Sequence, residues 1–283
     1  AWPDHVWFNR HSGRSVSYYR TSVARALQKV GVLSENPKAI GGGKASLILI
    51  DGQWTADNLT RWGVPDHKLV ITGKLEHDLL YHRFRGREAR ANDVRTKYGL
   101  VYDAPIVIAA LPQLAEHHIL PWDQHWAVQH EICRTLTENF DNVLVSLHPK
   151  VDPHQYSFLA SHYGVNLLTE RLDDVLPAAD VFVVGQGSST ALWSILCRIP
   201  TVVCDWYGLN LKAYDSFRSL KLTKSVDGFR ETIARLAHSG HYRSTLSEQA
   251  GGEAALISPF DGRATERILS ALLQPALHAK RTT

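Results

Sequence analysis

The stretch AADVFVVGQGSSTALWSILCRIPTVV, residues 178–203, decides the fold. VFVVG (181–185) is a short run of β-branched and aliphatic residues closed by glycine, which predicts a buried strand. SSTALWSILCRI (188–199) carries the apolar rhythm of a helix, and PTVVCDW (200–206) predicts a second strand. Strand, helix and strand in that order imply a parallel sheet with crossover helices. The same alternation runs upstream. PIVIAAL (105–111), NVLVSL (142–147) and VNLLTE (165–170) read as strands, and WDQHWAVQHEICRTLTENF (122–140) reads as a helix. DPHQYSFLASHYG (152–164) is also helical, with Asp152 as N-cap and Pro153 at the first helical position. DDVLPAAD (173–180) predicts a short helix capped by Asp173 and Asp174, and helices at 226–238 and 261–278 close the chain. Five βα units over residues 104–280 predict one complete doubly wound domain.

The first hundred residues are sparser. A helix is expected over 18–31, then a break at GGGK (41–44), a strand at ASLILID (45–51), a short helix at 55–64 and a strand at KLVITG (68–73). LEHDLLYHRF (75–84) and the basic stretch to Lys97 look helical. These strands are too few for a second complete domain. The expected organisation is a partial N-terminal α/β domain with an interdomain segment over 1–70, and a Rossmann-like domain over 71–283.

Composition narrows the function classes. With 44% hydrophobic and 21% charged residues over 283 positions the chain is ordinarily globular, and a net charge of +3 argues against an extended nucleic-acid surface. Positive charge concentrates in HRFRGREARANDVRTK (82–97) and HAKR (278–281), which read as a solvated helix face and a tail. Cys133, Cys197 and Cys204 are odd in number, lie in apolar contexts and show no metal spacing, so they read as reduced core residues of a cytoplasmic protein. Neither a signal peptide nor an apolar run long enough to span a bilayer is evident.

In open α/β sheets ligands gather at the carboxyl ends of the strands, and the motifs fall there. GQGSST (185–190) places Gly187 for close backbone approach, and Ser188, Ser189 and Thr190 at a helix start. Hydroxyls and first-turn N–H groups make that an anion site as well as a capping site. It lacks the Gly-Lys-Ser/Thr ending of a P-loop. VSLHPK (145–150) sets His148 just past a strand, fixed by Pro149 and beside Lys150; such a histidine can donate to a phosphate. LPQLAEHH (111–118) holds Gln113, Glu116, His117 and His118. A carboxylate there can serve as general base or orient a sugar hydroxyl, while two adjacent histidines diverge and do not make a metal site. Gly73 and Lys74 in TGKLEHD (72–78) sit where ligand is met at an interdomain cleft, and Asp205, Trp206 and Tyr207 of CDWYGLN (204–210) are placed to line the pocket.

On these residues the chain resembles the donor-binding half of GT-B-fold glycosyltransferases and the related nucleotide-sugar 2-epimerases. RWGVPDHKLVITGKLEHD (61–78) is similar to their interdomain segment, and residues 178–203 to their Asp, Gly/Ser-Ser, Ala, Pro-x-Val core; the likeness covers about residues 45–275. Bacterial sialyltransferases, Kdo transferases and teichoic-acid polymerases of this fold carry a His-Pro whose histidine meets the donor phosphate, followed by a Ser-Ser/Thr motif. The resemblance thus implies that His148 and Ser188–Ser189 hold the phosphate of a CMP- or CDP-linked donor. The 2-epimerases carry a His-Arg-rich loop after the first strand and an Asp-Ser-Gly-Gly in place of GQGSST. Neither is present here, which favours a transferase. The acidic base motif of the sialyltransferases is absent as well.

The resulting expectation is a transferase moving a sugar or glycerol-phosphate unit from a CMP-, CDP- or UDP-linked donor to a glycan or glycolipid acceptor in surface-polysaccharide synthesis. Donor phosphates would meet Gln113, His148, Lys150, Gly187, Ser188, Ser189, Thr190, Gly73 and Lys74, with no metal and no cofactor. Glu116, or Asp4, His5 or His11, would take the acceptor proton. The site would be cytoplasmic, with room for peripheral association at the inner membrane. The alternatives are a UDP-sugar epimerase or hydrolase and a non-catalytic nucleotide-binding module.

Overall fold

The structure, a computed structural model, describes residues 7–9, 14–16, 26, 29–30, 45–61, 63–210 and 214–273. The helix expected over 18–31 lies largely outside the described residues, as do Asp4, His5, His11 and the tail HAKR. The chain divides into two compact units, Ala1–Asp78 with Ala255–Thr283, and Leu79–Ala254.

In the first unit β1 (Trp7–Asn9) pairs antiparallel with β2 (Arg14–Val16), and β3 (Ile48–Ile50) pairs parallel with β4 (Leu69–Ile71). The helix Gln53–Arg61 connects β3 towards β4 and packs Leu59 with Ile50 and Val64. The C-terminal segment belongs here because its backbone is met by buried polar groups. The Asp78 carboxylate accepts from the N–H groups of Ala264 and Thr265, both at 3.0 Å. It therefore caps the helix Ala264–Leu273 from a great distance in sequence, a contact worth about 1 kcal/mol. Arg267 Nε donates to the Thr72 carbonyl at 2.8 Å.

In the second unit six strands form one parallel sheet. They are β5 (Ile106–Ala110), β6 (Asn142–Ser146), β7 (Asn166–Leu167), β8 (Val181–Gly185), β9 (Thr201–Cys204) and β10 (Leu220–Thr223). Their order across the sheet is β10-β9-β8-β5-β6-β7. Counted within this unit from β7 the order is third, second, first, fourth, fifth, sixth, the doubly wound arrangement in which the chain reverses direction between β5 and β8. The helices Trp122–Thr137, Ser157–Tyr163, Thr190–Leu196 and Val226–His238 lie in the connections. Strands β6, β8 and β9 are buried along their whole length, as continuous aliphatic strands covered on both faces should be.

Several expectations change. The sheet has a sixth strand, β10, at an edge, and the helix Gly240–Ile257 was not foreseen. Asp152 does cap the helical turn after β6, accepting from the His154 N–H at 3.0 Å, and Pro153 is its first residue. Asp173 and Asp174 do not cap their helix, whose N-cap is Arg171 without a side-chain bond. Both instead pair with Arg83, at 2.5 and 2.6 Å. Because the long-range cation outcompetes the local N–H groups for these carboxylates, charge-assisted pairing displaces capping. The basic stretch is also internally engaged: Lys97 reaches Glu170 at 2.5 Å, and Arg87 and Arg95 lie over the rings of Phe84 and Tyr102. All three cysteines are buried free thiols, and burial pushes the Cys133 thiol up to about 12. They are inert core residues.

Candidate functional site

Ligand-accepting crevices in such sheets open where strand order reverses, here at the carboxyl ends of β5 and β8. The backbones come close at this point. A β-carbon on Gly185 would lie 2.5 Å from Cβ of Pro112, so only glycine ends β8. Pro112 is tied in turn by Gln129, whose amide donates to the Pro112 carbonyl at 2.8 Å from the helix Trp122–Thr137.

After β5 the chain makes one tight helical turn. His117 N–H donates to the Gln113 carbonyl at 3.3 Å, and Ile119 and Leu120 N–H both donate to the Leu114 carbonyl. The turn is stopped by His118 at φ 55°, a left-handed conformation that is uncommon for a non-glycine residue. Gln113 and His117 face each other across it, with His117 Nε2–H donating to Gln113 Oε1 at 3.1 Å. Glu116 turns inward and is 20% exposed. Its Oε1 accepts from the Tyr156 hydroxyl at 2.5 Å, while its Oε2 is shielded and accepts from no described protein group.

After β6, His148 stands exposed on a turn closed by the Val151 N–H donating to the His148 carbonyl at 2.9 Å, with Pro149 fixing the first turn position. Its Nδ1 accepts from the Lys150 N–H at 3.2 Å. In the neutral ring the proton then sits on Nε2, which is left as an outward donor. Desolvation, then Lys150 and His117, hold the His148 pKa below its ordinary value, and the nearby Glu116 carboxylate opposes them. The β5 and β6 loops therefore share one electrostatic neighbourhood.

After β8, Gly187 adopts φ 94°, which glycine alone takes freely. Ser188 Oγ and Thr190 Oγ1 are 2.8 Å apart, and the Thr190 N–H donates to Ser188 Oγ at 3.4 Å. Tyr214 donates its hydroxyl to the Ser188 carbonyl, and the Gln186 N–H donates to both the Cys204 carbonyl and the Tyr207 hydroxyl. Ser189 is the N-cap residue, is exposed and makes no side-chain capping bond. The loop is thus braced from behind while its Ser189 hydroxyl stays uncommitted to the helix.

The structure gathers Gln113, Glu116, His148, Lys150, Gly187, Ser188, Ser189 and Thr190 onto three adjacent strand ends, because β5 lies between β6 and β8. Gly73 and Lys74 belong to the other unit. There Lys74 pairs with the buried Asp51 at 3.2 Å, at the wall of a cavity of about 430 Å³ that also touches Trp54, Thr72 and Ile268. Asp205 and its neighbours brace the fold. The Asp205 carboxylate, 2% exposed, accepts from the Leu209 and Asn210 N–H groups at 2.8 Å each, and Trp206 packs on Phe229. Sequence reading missed Tyr156 and His125, the groups behind Glu116. Tyr156 looked like one more apolar position on a helix. Among the described residues no group of three His, Cys, Asp or Glu is arranged to hold a metal ion, and no helix is long and apolar enough to cross a membrane.

No family model and no curated protein matches the chain. Among solved structures it is similar to the wall teichoic acid polymerase TagF, at 12% identity and TM-score 0.57, over 98% of this chain and 65% of the polymerase. It is similar as well to the UDP-GlcNAc 2-epimerase of Neisseria meningitidis, at 15% identity and TM-score 0.54, over 81% of this chain and 61% of the enzyme. The UDP-GlcNAc 2-epimerase of Methanocaldococcus jannaschii matches at 13% identity and TM-score 0.56, with the same coverage of 81% and 61%. The chain spans less than two thirds of the length of each. At these identities the likeness establishes the fold alone: a GT-B-like α/β architecture with a parallel sheet of six strands flanked by helices.

Proposed function

We propose that this protein is a glycosyltransferase that uses a nucleotide-activated donor, CMP-, CDP- or UDP-linked, to extend a glycan or glycolipid acceptor of a bacterial surface polysaccharide. One observation carries the reading: the His148 turn, the Glu116 turn and the GQGSST loop occupy neighbouring strand ends at the reversal point of a doubly wound sheet. A donor diphosphate laid across them meets His148 Nε2–H on one side and the Ser188–Thr190 hydroxyls on the other. β6 and β8 stand two strand spacings apart, about 10 Å, a distance such a group can bridge. Glu116 then faces a hydroxyl of the acceptor or of the sugar.

The solved relatives are in keeping with this chemistry. TagF was soaked with CDPG, and the meningococcal epimerase is bound to UDP-GlcNAc. The leaving phosphate is neutralised by hydrogen bonds and Lys150, without a metal or an organic cofactor, and the work is done on the cytoplasmic side of the membrane, where a peripheral contact brings in a glycolipid acceptor.

Ser188→Ala combined with Ser189→Ala should weaken CMP or UDP binding at least about tenfold, since hydrogen bonds to charged groups contribute about 1.5–3 kcal/mol each. Calorimetry with and without EDTA measures both points. Unchanged affinity in the double variant removes the phosphate site, and binding that needs added Mg²⁺ removes the metal-free mechanism. Product analysis with CMP-, CDP- and UDP-linked sugars separates acceptor-dependent nucleotide release from release of an altered free sugar, the epimerase or hydrolase outcome.

A further inference from the structure

Behind Glu116 lies a hydrogen-bond chain that phosphate binding does not use. The helix Trp122–Thr137 carries His125, which has no solvent exposure, to the start of the β5 turn. There the Ala115 N–H donates to His125 Nδ1 at 3.3 Å. A neutral imidazole accepting at Nδ1 carries its proton on Nε2. His125 Nε2 is 2.9 Å from the Tyr156 hydroxyl oxygen. Tyr156, 1% exposed, has one hydroxyl proton, and Glu116 Oε1 takes it at 2.5 Å. The shortest contacts order the protons from end to end: Ala115 N–H to His125, His125 Nε2–H to Tyr156, Tyr156 O–H to Glu116. The Gln129 amide nitrogen, 3.4 and 3.5 Å from the two ring nitrogens, makes its shorter bond to the Pro112 carbonyl at 2.8 Å.

The surroundings keep the chain dry. Trp122 and Trp126 set their rings against His125 at 5.2 and 4.7 Å, and Trp126 also meets the Tyr156 ring at 4.9 Å. Burial holds the His125 pKa below and the Tyr156 pKa above its ordinary value, which favours the neutral form of both. Glu116 Oε2 gains no hydrogen bond from this chain: it lies 3.7 Å from His125 Nδ1, a nitrogen whose lone pair is already engaged. A carboxylate with one oxygen anchored and the other shielded and unpaired is an acceptor in waiting, since a buried unmet acceptor costs about 1–3 kcal/mol.

We infer that Tyr156 and His125 are positioning residues, a buried donor chain that fixes the Glu116 carboxylate so that its second oxygen is kept for a hydroxyl group of the ligand. This rests on the transferase reading for the identity of that hydroxyl, and on geometry alone for the chain itself.

The test has two arms on the full-length protein. Nitrogen-15 NMR of the imidazoles, assigned with His125→Gln, should find the Nε2–H form of His125 dominant from pH 8 to pH 7, with Tyr156 and Glu116 the titratable groups against it among the described residues. An Nδ1–H tautomer, or loss of the Nε2–H signature within that range, overturns the inference whatever the protein catalyses. In the second arm Tyr156→Phe keeps the ring and removes only the hydroxyl, which is both the donor to Glu116 and the acceptor of His125 Nε2–H. With the CMP- or UDP-linked sugar that the wild type turns over, kcat should fall roughly ten- to a hundredfold with KM for the donor within about twofold, as mispositioning of a reacting group does. An unchanged kcat overturns the inference while leaving phosphate binding at Ser188–Ser189 intact. A wild type that turns over no nucleotide sugar overturns the transferase reading instead, and the NMR arm still decides the chain.

Discussion

Glu116→Gln should lower kcat by about a hundred- to ten-thousandfold, the range that general acid–base groups contribute, with CMP and UDP affinity held within about twofold. The substitution preserves shape. The amide oxygen can replace Oε1 and still accept from Tyr156, so the anchoring bond at 2.5 Å survives. What changes is the other end, where an NH₂ donor replaces Oε2, the oxygen that accepts from no described protein group. A donor there cannot take a proton from an attacking hydroxyl, and it also removes the negative charge that opposes the lowering of the His148 pKa. Two readouts follow. Steady-state turnover reports the loss of rate, and NMR titration of His148 should show its pKa moving further down. A variant with kcat within threefold of wild type places the proton acceptor elsewhere, with His117, oriented by Gln113, the next residue on the same turn.

The parts legible in the sequence are those where local pattern and tertiary demand agree. VFVVG and NVLVSL had to be strands because unbroken β-branched and aliphatic runs of that length fit a sheet covered on both faces. Strand β10 was missed because LKLT is short, carries a lysine and pairs on one side only, as edge strands do. The helix Gly240–Ile257 was missed because Gly251 and Gly252 weaken helix propensity by about 1 kcal/mol each. Tertiary packing overrides that cost: Leu246 and Ala250 are buried, and a β-carbon added at Gly251 would lie 3.4 Å from the Arg198 side chain. The candidate site follows the same rule. His148, Glu116 and Ser188–Thr190 announced themselves as polar residues directly after strands. Tyr156 and His125 did not, because a buried tyrosine on an amphipathic helix looks identical whether its hydroxyl is merely satisfied or holds a carboxylate. Pairs such as Arg83 with Asp173 or Asp78 with Ala264 depend on contacts distant in sequence and leave no local trace.

His148→Ala should separate binding from reaction. In the free protein the ring is neutral near pH 7, since desolvation and the positive neighbours Lys150 and His117 hold its pKa below the ordinary value. A neutral Nε2–H donates one hydrogen bond to a bound phosphate, worth about 1.5–3 kcal/mol as for other bonds to charged groups, so its removal should weaken nucleotide binding about ten- to a hundredfold. During transfer the leaving phosphate gains negative charge, and a pre-placed donor that can itself become charged is then worth far more. Losing such a donor typically costs about a hundred- to a thousandfold in kcat. The pH dependence carries the same sign. A bound phosphate favours the imidazolium, so wild-type affinity for UDP should rise as pH falls below about 6.5, and the variant should lose that part of the rise. The comparison of wild type with variant cancels the titration of the nucleotide's own phosphate. Equal losses in kcat and in affinity, or identical pH profiles for the two proteins, would mean that His148 only shapes its turn through Nδ1, and that the Ser188–Thr190 loop holds the donor alone.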